Sequence, residues 1–259
     1  METVLKEMRK TMLRVASIGK DGNLQSCLSS LEILWALYDS VMPTNQEELS
    51  KPDRNRFVLS KGQSNLAYMT VLAQKGLLDK KELDSFCKFD SRIAMQADRT
   101  KFGPFVETSA GSLGHGFPMA VGMAWAKKIK NEGGRVLCLA GDGEMNEGTM
   151  WEAAIFAASE KLDNLVIIVD NNHSIGRMID MGSLSEKFTA FGFCVREVDG
   201  HDVCAIKQAI SKEADKPLVI LANTVRGYGS KTMMEDRSWF HRYPKGDELN
   251  ILSEEVDAL

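Results

Sequence analysis

The sequence predicts an α/β fold, a mostly parallel sheet with helices on both faces, and three observations carry that expectation. Short strand-like runs recur along the chain: "RVLCLA" (135–140), "NLVIIVD" (164–170), "FCVREVD" (193–199) and "PLVILANT" (217–224). Between them lie single segments of helical period, "GTMWEAAIFAASEKL", "LSEKFTAFG" and "HDVCAIKQAISKEAD". Strands joined through one helix each pair in parallel, and the helices then cover the sheet faces. No repeat, low-complexity stretch or linker interrupts the chain, so residues 1–259 read as one domain.

The amino-terminal half is read in the same way. "METVLKEMRKTMLRVAS" spaces its apolar residues as an amphipathic helix, and "CLSSLEILWALYDSVM" follows with Leu28, Leu31, Leu34 and Leu37–Tyr38 on one face. "RFVLS" (56–60) is a strand ending near Gly62, and "SNLAYMTVLAQKG" is a helix closed by Gly76. Asp79 with Glu82 forms a capping box for a helix over "KKELDSFCKF". Residues 90–112 have no period, and "LGHGFPMAVGMAWAKKIK" reads as a helix rich in small residues. The tail "VRGYGSKTMMEDRSWFHRYPKG" is expected to wrap back over the sheet.

Composition excludes several function classes. With 44% hydrophobic and 26% charged residues and a formal net charge of -4, nothing favours nucleic acid or an anionic membrane. The longest aliphatic run, "LVIIV" (165–169), is too short to span a bilayer, and the first helix lacks the apolar core of a signal peptide. The 5 cysteines (27, 87, 138, 194, 204) form no CxxC, which suits reduced, mostly packed thiols in a cytoplasm.

The stretch "LAGDGEMNEG" (139–148) lies where α/β proteins place glycine-rich phosphate cradles, yet it carries Asp142, Glu144 and Glu147 and no lysine. A second strand ends in "VDNN", one helix later. Adjacent strands would bring Asp142, Asn171 and Asn172 together at the carboxyl edge of the sheet, where ligands gather. A carboxylate, an amide oxygen and a backbone carbonyl are hard donors suited to Mg²⁺ or Ca²⁺. Gly141 and Gly143 would let a diphosphate approach through that metal. A GDG turn alone is also a common way to end a strand; the pair at this spacing is the informative feature.

"GDGEMNEGTMWEAAIFAASEKLDNLVIIVDNN" resembles the thiamine-diphosphate signature, and "RFVLSKG", "ETSAGSLGHGFPMAVGMAWAKK" and "ANTVRGYGSKTMMEDRSWFH" resemble transketolase. The resemblance runs from about Leu28 to His241 and matches only the amino-terminal, diphosphate-binding module. It implies a split, two-gene enzyme whose pyrimidine-binding and C-terminal domains sit on a partner chain, assembling as α2β2. It also implies thiamine diphosphate and Mg²⁺ as cofactors.

By position, the resemblance makes Asp142, Asn172 and the main-chain carbonyl of Ser174 the metal ligands, with Asn171 structural. Gly114, Gly141 and Gly143 would approach the diphosphate and Leu113 would pack on the cofactor. His115 stands where the family often has Gln. Glu147 resembles an acidic interface residue that meets the activating glutamate of the other module, and His241 a histidine near the diphosphate and the reacting carbon. Glu144 is left without a role, as a solvated side chain.

Several family histidines are replaced. The GHxGGS-like segment reads "GNLQSC", with Asn23; SKGH reads "SKGQ", with Gln63; a GHPD-like segment reads "MQAD", with Gln96; and WHH reads "WFH", with Phe240. Amides hydrogen-bond but do not shuttle protons near neutral pH, a capacity worth about 10²–10⁴-fold in rate. His241 and Gln63 are then the candidates for substrate contacts, with Asn23 and Gln96 in the substrate pocket. The resemblance implies ketol transfer from a ketose-type donor to an aldehyde, with atypical substrates. The alternatives are decarboxylating acyl transfer from a 2-oxo acid, or a non-catalytic subunit.

Overall fold

The computed structural model describes residues 1–174 and 179–259. Among the described residues five strands, β1 (Arg56–Leu59), β2 (Val136–Gly141), β3 (Leu165–Asn171), β4 (Cys194–Asp199) and β5 (Leu218–Asn223), form one sheet in the order β1-β2-β3-β5-β4. All four pairings are parallel. The helices are α1 (Glu2–Gly19), α2 (Leu24–Tyr38), α3 (Gln46–Ser50), α4 (Asn65–Gln74), α5 (Arg99–Phe102) and α6 (Gly116–Ile129). They continue with α7 (Gly148–Ser159), α8 (Leu184–Ala190), α9 (Val203–Ser211), α10 (Lys231–Glu235) and α11 (Glu248–Asp257).

Period-two alternation along the central strands divides the core into two layers. Leu137, Leu139, Val166 and Ile168 face one side, where α1, α2, α4 and α9 pack. Val136, Cys138, Ile167 and Val169 face the other, against α6, α7 and α8. Both faces of β2 and β3 are buried, which is why these strands read as unbroken aliphatic runs. β4 is an edge strand, and Arg196 and Glu197 on it leave that edge polar.

β5 inserts between β3 and β4, so the chain reverses direction across the sheet after β4. α9 accordingly crosses on the α2 side, opposite α7 and α8. At the other end, β1 leads into α4 on the α2 side, whereas β2 leads into α7 on the opposite side. The two connections diverge and open a crevice beyond the carboxyl ends of β1 and β2.

Two local expectations are corrected. Residues Lys80–Ser85 form a short 3-10 turn in place of a helix; Asp79 caps it through Lys81 N–H at 2.9 Å, but the chain must then turn to bury Phe86. The tail 225–246 carries more structure than its pattern suggested, since α10 and the 3-10 turn Arg237–His241 form within it and bury Met233 and Trp239; beyond it α11 packs on α1 and buries Leu252 and Val256. Among the described residues no helix is long and apolar enough to cross a membrane.

Candidate functional site

A cleft of about 410 Å³ opens at the β1/β2 crevice. Beneath it Lys61, just past β1, places Nζ 2.5 Å from Asp170 Oδ2 at the end of β3. Both side chains are buried, and Lys61 reaches Asp170 by passing over Gly141 of β2, where a Cβ would lie 3.5 Å from the lysine chain. Ser29 and Ser30 each donate to Asp170 Oδ2 at 2.7 Å, and Thr224 donates to Oδ1. Burial alone would raise this carboxyl; the Lys61 charge and the hydroxyl donors outweigh it and hold Asp170 below the ordinary carboxylate range. The pair therefore stays ionised and fixes the end of β3 against α2.

Asp142 and Asn172 stand at the carboxyl ends of the neighbouring strands β2 and β3, where Gly141 is in register with Asp170. Their oxygens converge on one point: the Ser174 N–H donates to Asp142 Oδ2 at 2.7 Å and to Asn172 Oδ1 at 3.1 Å. Ser174 Oγ adds a bond to Asp142 Oδ1 at 3.0 Å. Asn171 turns away and donates to Asn223 Oδ1 at 2.8 Å. A Cβ on Gly143 would meet nothing nearer than Ser174 Oγ at 3.9 Å, so the space above this turn is open. One carboxylate and one amide oxygen, held together on the Ser174 N–H beside an open glycine turn, are hard donors of the kind that would suit Mg²⁺.

Glu144 corrects the expectation of a solvated side chain. It is 1% exposed and its Oε1 accepts from Ser60 Oγ at 2.6 Å and from Gly114 N–H at 2.9 Å. Burial raises its carboxyl, and those donors offset the rise in part. Its Oε2 is buried without a partner among the described residues. Glu144 thus ties the 112–115 turn to the end of β1, and Gly114 at φ +79° completes the turn. A Cβ there would approach Glu147 Cβ at 2.7 Å, while Thr149 Oγ1 donates to Gly114 O at 2.7 Å.

The remaining predicted residues separate into two groups. Gln63 and Leu113 line the cleft with Gly141, Asp142, Gly143, Asn172 and Ser174. Asn23, Gln96, His115, Glu147 and His241 lie outside its wall. Asn23 is the N-cap residue of α2 and bridges to Arg242; Gln96 packs beside Gly62 and Gly111. His115 sits at the start of α6 with Nδ1 3.0 Å from Leu113 O, and Glu147 is exposed ahead of α7. His241 points toward Gly22 O at 3.4 Å and Asp21 at 3.5 Å, because the 3-10 turn Arg237–His241 buries Trp239 and turns the next residue, Phe240, to the cleft.

Sequence reasoning missed Lys61, Asp170, Ser26, Arg226 and Arg237, of which all but Asp170 line the cleft. Arg226 donates to Gln25 Oε1 at 2.7 Å and lies over the Phe240 ring at 5.4 Å. Gln25 in turn donates to Met233 O at 2.5 Å and Asp236 O at 3.0 Å. The signals were a lysine just past a strand and two arginines in an irregular tail.

Residues 3–252 match the family model described as "Transketolase, thiamine diphosphate binding domain". The chain is 36% identical over 255 residues to one of the subunits of the apulose-4-phosphate transketolase of Actinobacillus succinogenes, covering 96% of this chain and 92% of that one. It is 35% identical over 230 residues to the 6-deoxy-6-sulfo-D-fructose transketolase subunit SqwG of Clostridium sp. (strain MSTE9), covering 84% and 82%. Against human transketolase it is 32% identical and spans only 40% of that protein. The crystal structure of transketolase from Campylobacter jejuni superposes with a TM-score of 0.84 at 26% identity, over 99% of this chain and 42% of that one. The chain therefore belongs to the transketolase family, as its thiamine diphosphate binding domain.

Proposed function

We propose that this chain is the diphosphate-binding subunit of a split, thiamine diphosphate- and Mg²⁺-dependent transferase that moves a two-carbon unit to an aldehyde. The convergence of Asp142 and Asn172 beside the open Gly143 turn supports this reading most strongly. In it, Asp142, Asn172 and the Ser174 carbonyl hold Mg²⁺; Gly114, Gly141 and Gly143 admit the diphosphate; and Leu113 packs on the cofactor. When bound, thiamine diphosphate supplies a nucleophilic carbon and a sink for the electron pair of the broken carbon–carbon bond.

This chain's residues then bind, orient and exclude water. Lys61 and Asp170 keep the floor rigid, Gln63 contacts substrate, and Glu147 meets the partner. Asn23, Gln96, His115 and His241 lie around the cleft rather than on its wall, and reach the substrate or cofactor only if the partner's surface extends the site. The partner carries the pyrimidine-binding module in an α2β2 assembly in the cytoplasm; two apulose-4-phosphate transketolase relatives bear names that make them subunits, which supports a divided enzyme. A ketose-type donor agrees with the relatives' names, and a 2-oxo acid satisfies the same electron demand. The test is calorimetric titration of thiamine diphosphate with Mg²⁺ into the complex of this chain and its partner; failure to bind contradicts the reading.

A further inference from the structure

We propose that Ser29 is a positioning residue for the metal: its hydroxyl fixes the Asn172 amide so that Oδ1, and not Nδ2, stands beside Asp142. The inference rests on the cofactor reading above and concerns a residue of α2 that the reading does not use.

An amide presents an oxygen on one side and a nitrogen of similar size on the other, and only the oxygen ligates a hard cation. A half-turn of the side chain exchanges the two with little change of shape, so hydrogen bonds must decide which one faces the ligand. One bond comes from the Ser174 N–H, which reaches Asn172 Oδ1 at 3.1 Å but lies closer, at 2.7 Å, to Asp142 Oδ2. The other lies at the opposite end of the amide, where Nδ2 donates to Ser29 Oγ at 3.3 Å.

Ser29 is fully buried, and its surroundings leave its hydroxyl one arrangement. A hydroxyl has one proton and two lone pairs. Asp170 Oδ2 at 2.7 Å and Ser26 O at 3.1 Å can only accept from it, whereas Lys61 Nζ at 3.2 Å can only donate to it. The proton therefore points to Asp170 or Ser26, and a lone pair is left for Asn172. A reversed amide would set Oδ1 against that lone pair and Nδ2 against the Ser174 N–H, losing both bonds. The polarity of the Lys61–Asp170 pair thus passes through one hydroxyl to the amide.

Ser30 supplies a built-in comparison. It is equally buried, donates to the same Asp170 Oδ2 at 2.7 Å and lies 3.1 Å from Lys61 Nζ. Among the described residues it makes no bond to Asn172. Loss of either hydroxyl disturbs the ion pair alike; only loss of Ser29 releases the amide.

The test uses the complex with its partner subunit and reads the apparent Kd for Mg²⁺ from tryptophan quenching at fixed thiamine diphosphate. S29A should raise that Kd by about tenfold, as for the loss of an outer-shell partner of a metal. S29C, which fills the space with a poor acceptor, should do the same. S30A should shift the urea midpoint as S29A does and leave the Mg²⁺ Kd at the wild-type value. In an N172A background S29A should add nothing, because the amide it orients is gone. Wild-type Mg²⁺ affinity in S29A and S29C, an equal loss in S30A, or a full further loss in N172A would each overturn the assignment while cofactor binding stands. Failure of the wild-type complex to bind thiamine diphosphate with Mg²⁺ overturns the cofactor reading and this inference with it.

Discussion

Lys61 and Asp170 form a buried ion pair that spans β2, with Nζ 2.5 Å from Oδ2 and glycine at the crossing point. The pair joins the ends of β1 and β3 directly under the cleft, so the floor behaves as one unit. Removing one partner leaves the other charged and buried, which costs about 3–5 kcal/mol. D170N and K61M should each lower unfolding free energy by that amount in urea titrations. The K61M/D170N double variant should lose less than the sum, since it removes both charges; strict additivity would contradict the coupling.

Gly114 should tolerate no side chain. Its φ of +79° and the proximity of Glu147 Cβ combine strain with a clash. G114A is expected to cost about 1–3 kcal/mol and to weaken binding of thiamine diphosphate, read by denaturant unfolding and by tryptophan quenching. Unchanged stability and affinity would show that the turn is not fixed as described.

Away from the cleft, His201 links three elements. It lies 3.2 Å from Glu32 Oε2 through Nδ1, accepts Val225 N–H at Nε2 at 2.9 Å, and stacks on Tyr228 at 3.6 Å. Glu32 is also paired with buried Arg9. H201F preserves the stacking but leaves the exposed Val225 N–H to solvent, for an expected loss of about 0.5–1.5 kcal/mol. Because Val225 precedes Arg226, hydrogen exchange at 225–229 should rise in this variant.

The thiols offer a direct check on burial. Burial pushes Cys27 up to about 11 and Cys138 well above its ordinary value, whereas Cys204 is exposed. Alkylation of the native protein at about pH 7.5 should modify Cys204 and spare Cys27 and Cys138 until denaturant is added. Modification of Cys138 under native conditions would contradict the packing of β2.

The layered fold was legible because β2, β3 and β5 are apolar runs and each crossover of the carboxyl-terminal half is a single periodic helix. The adjacency of Asp142 and Asn172 was legible from the single helix between their strands, a connection that makes β2 and β3 neighbours although it does not do so for β3 and β4. The insertion of β5 between β3 and β4 has no local signal, since strand order depends on packing across the whole sheet. Asp170 looked like an ordinary strand end, and its partner Lys61 lies 109 residues away. Glu144 read as solvated because carboxylates usually are; its burial depends on Ser60 and the Gly114 N–H, which sequence spacing does not connect. His241 and Phe240 are adjacent in an irregular tail, and only the burial of Trp239 decides which of them faces the cleft.

The decisive experiment for a Mg²⁺-dependent diphosphate site built on Asp142 and Asn172 is calorimetric titration of thiamine diphosphate into the complex with its partner subunit, with Mg²⁺ and with EDTA. Binding should require the metal. D142N and N172A should each weaken it by about 100-fold or more, since even an outer-shell partner of a metal is worth about 10–100-fold. Equal affinity in EDTA, or wild-type affinity in D142N, would refute the site.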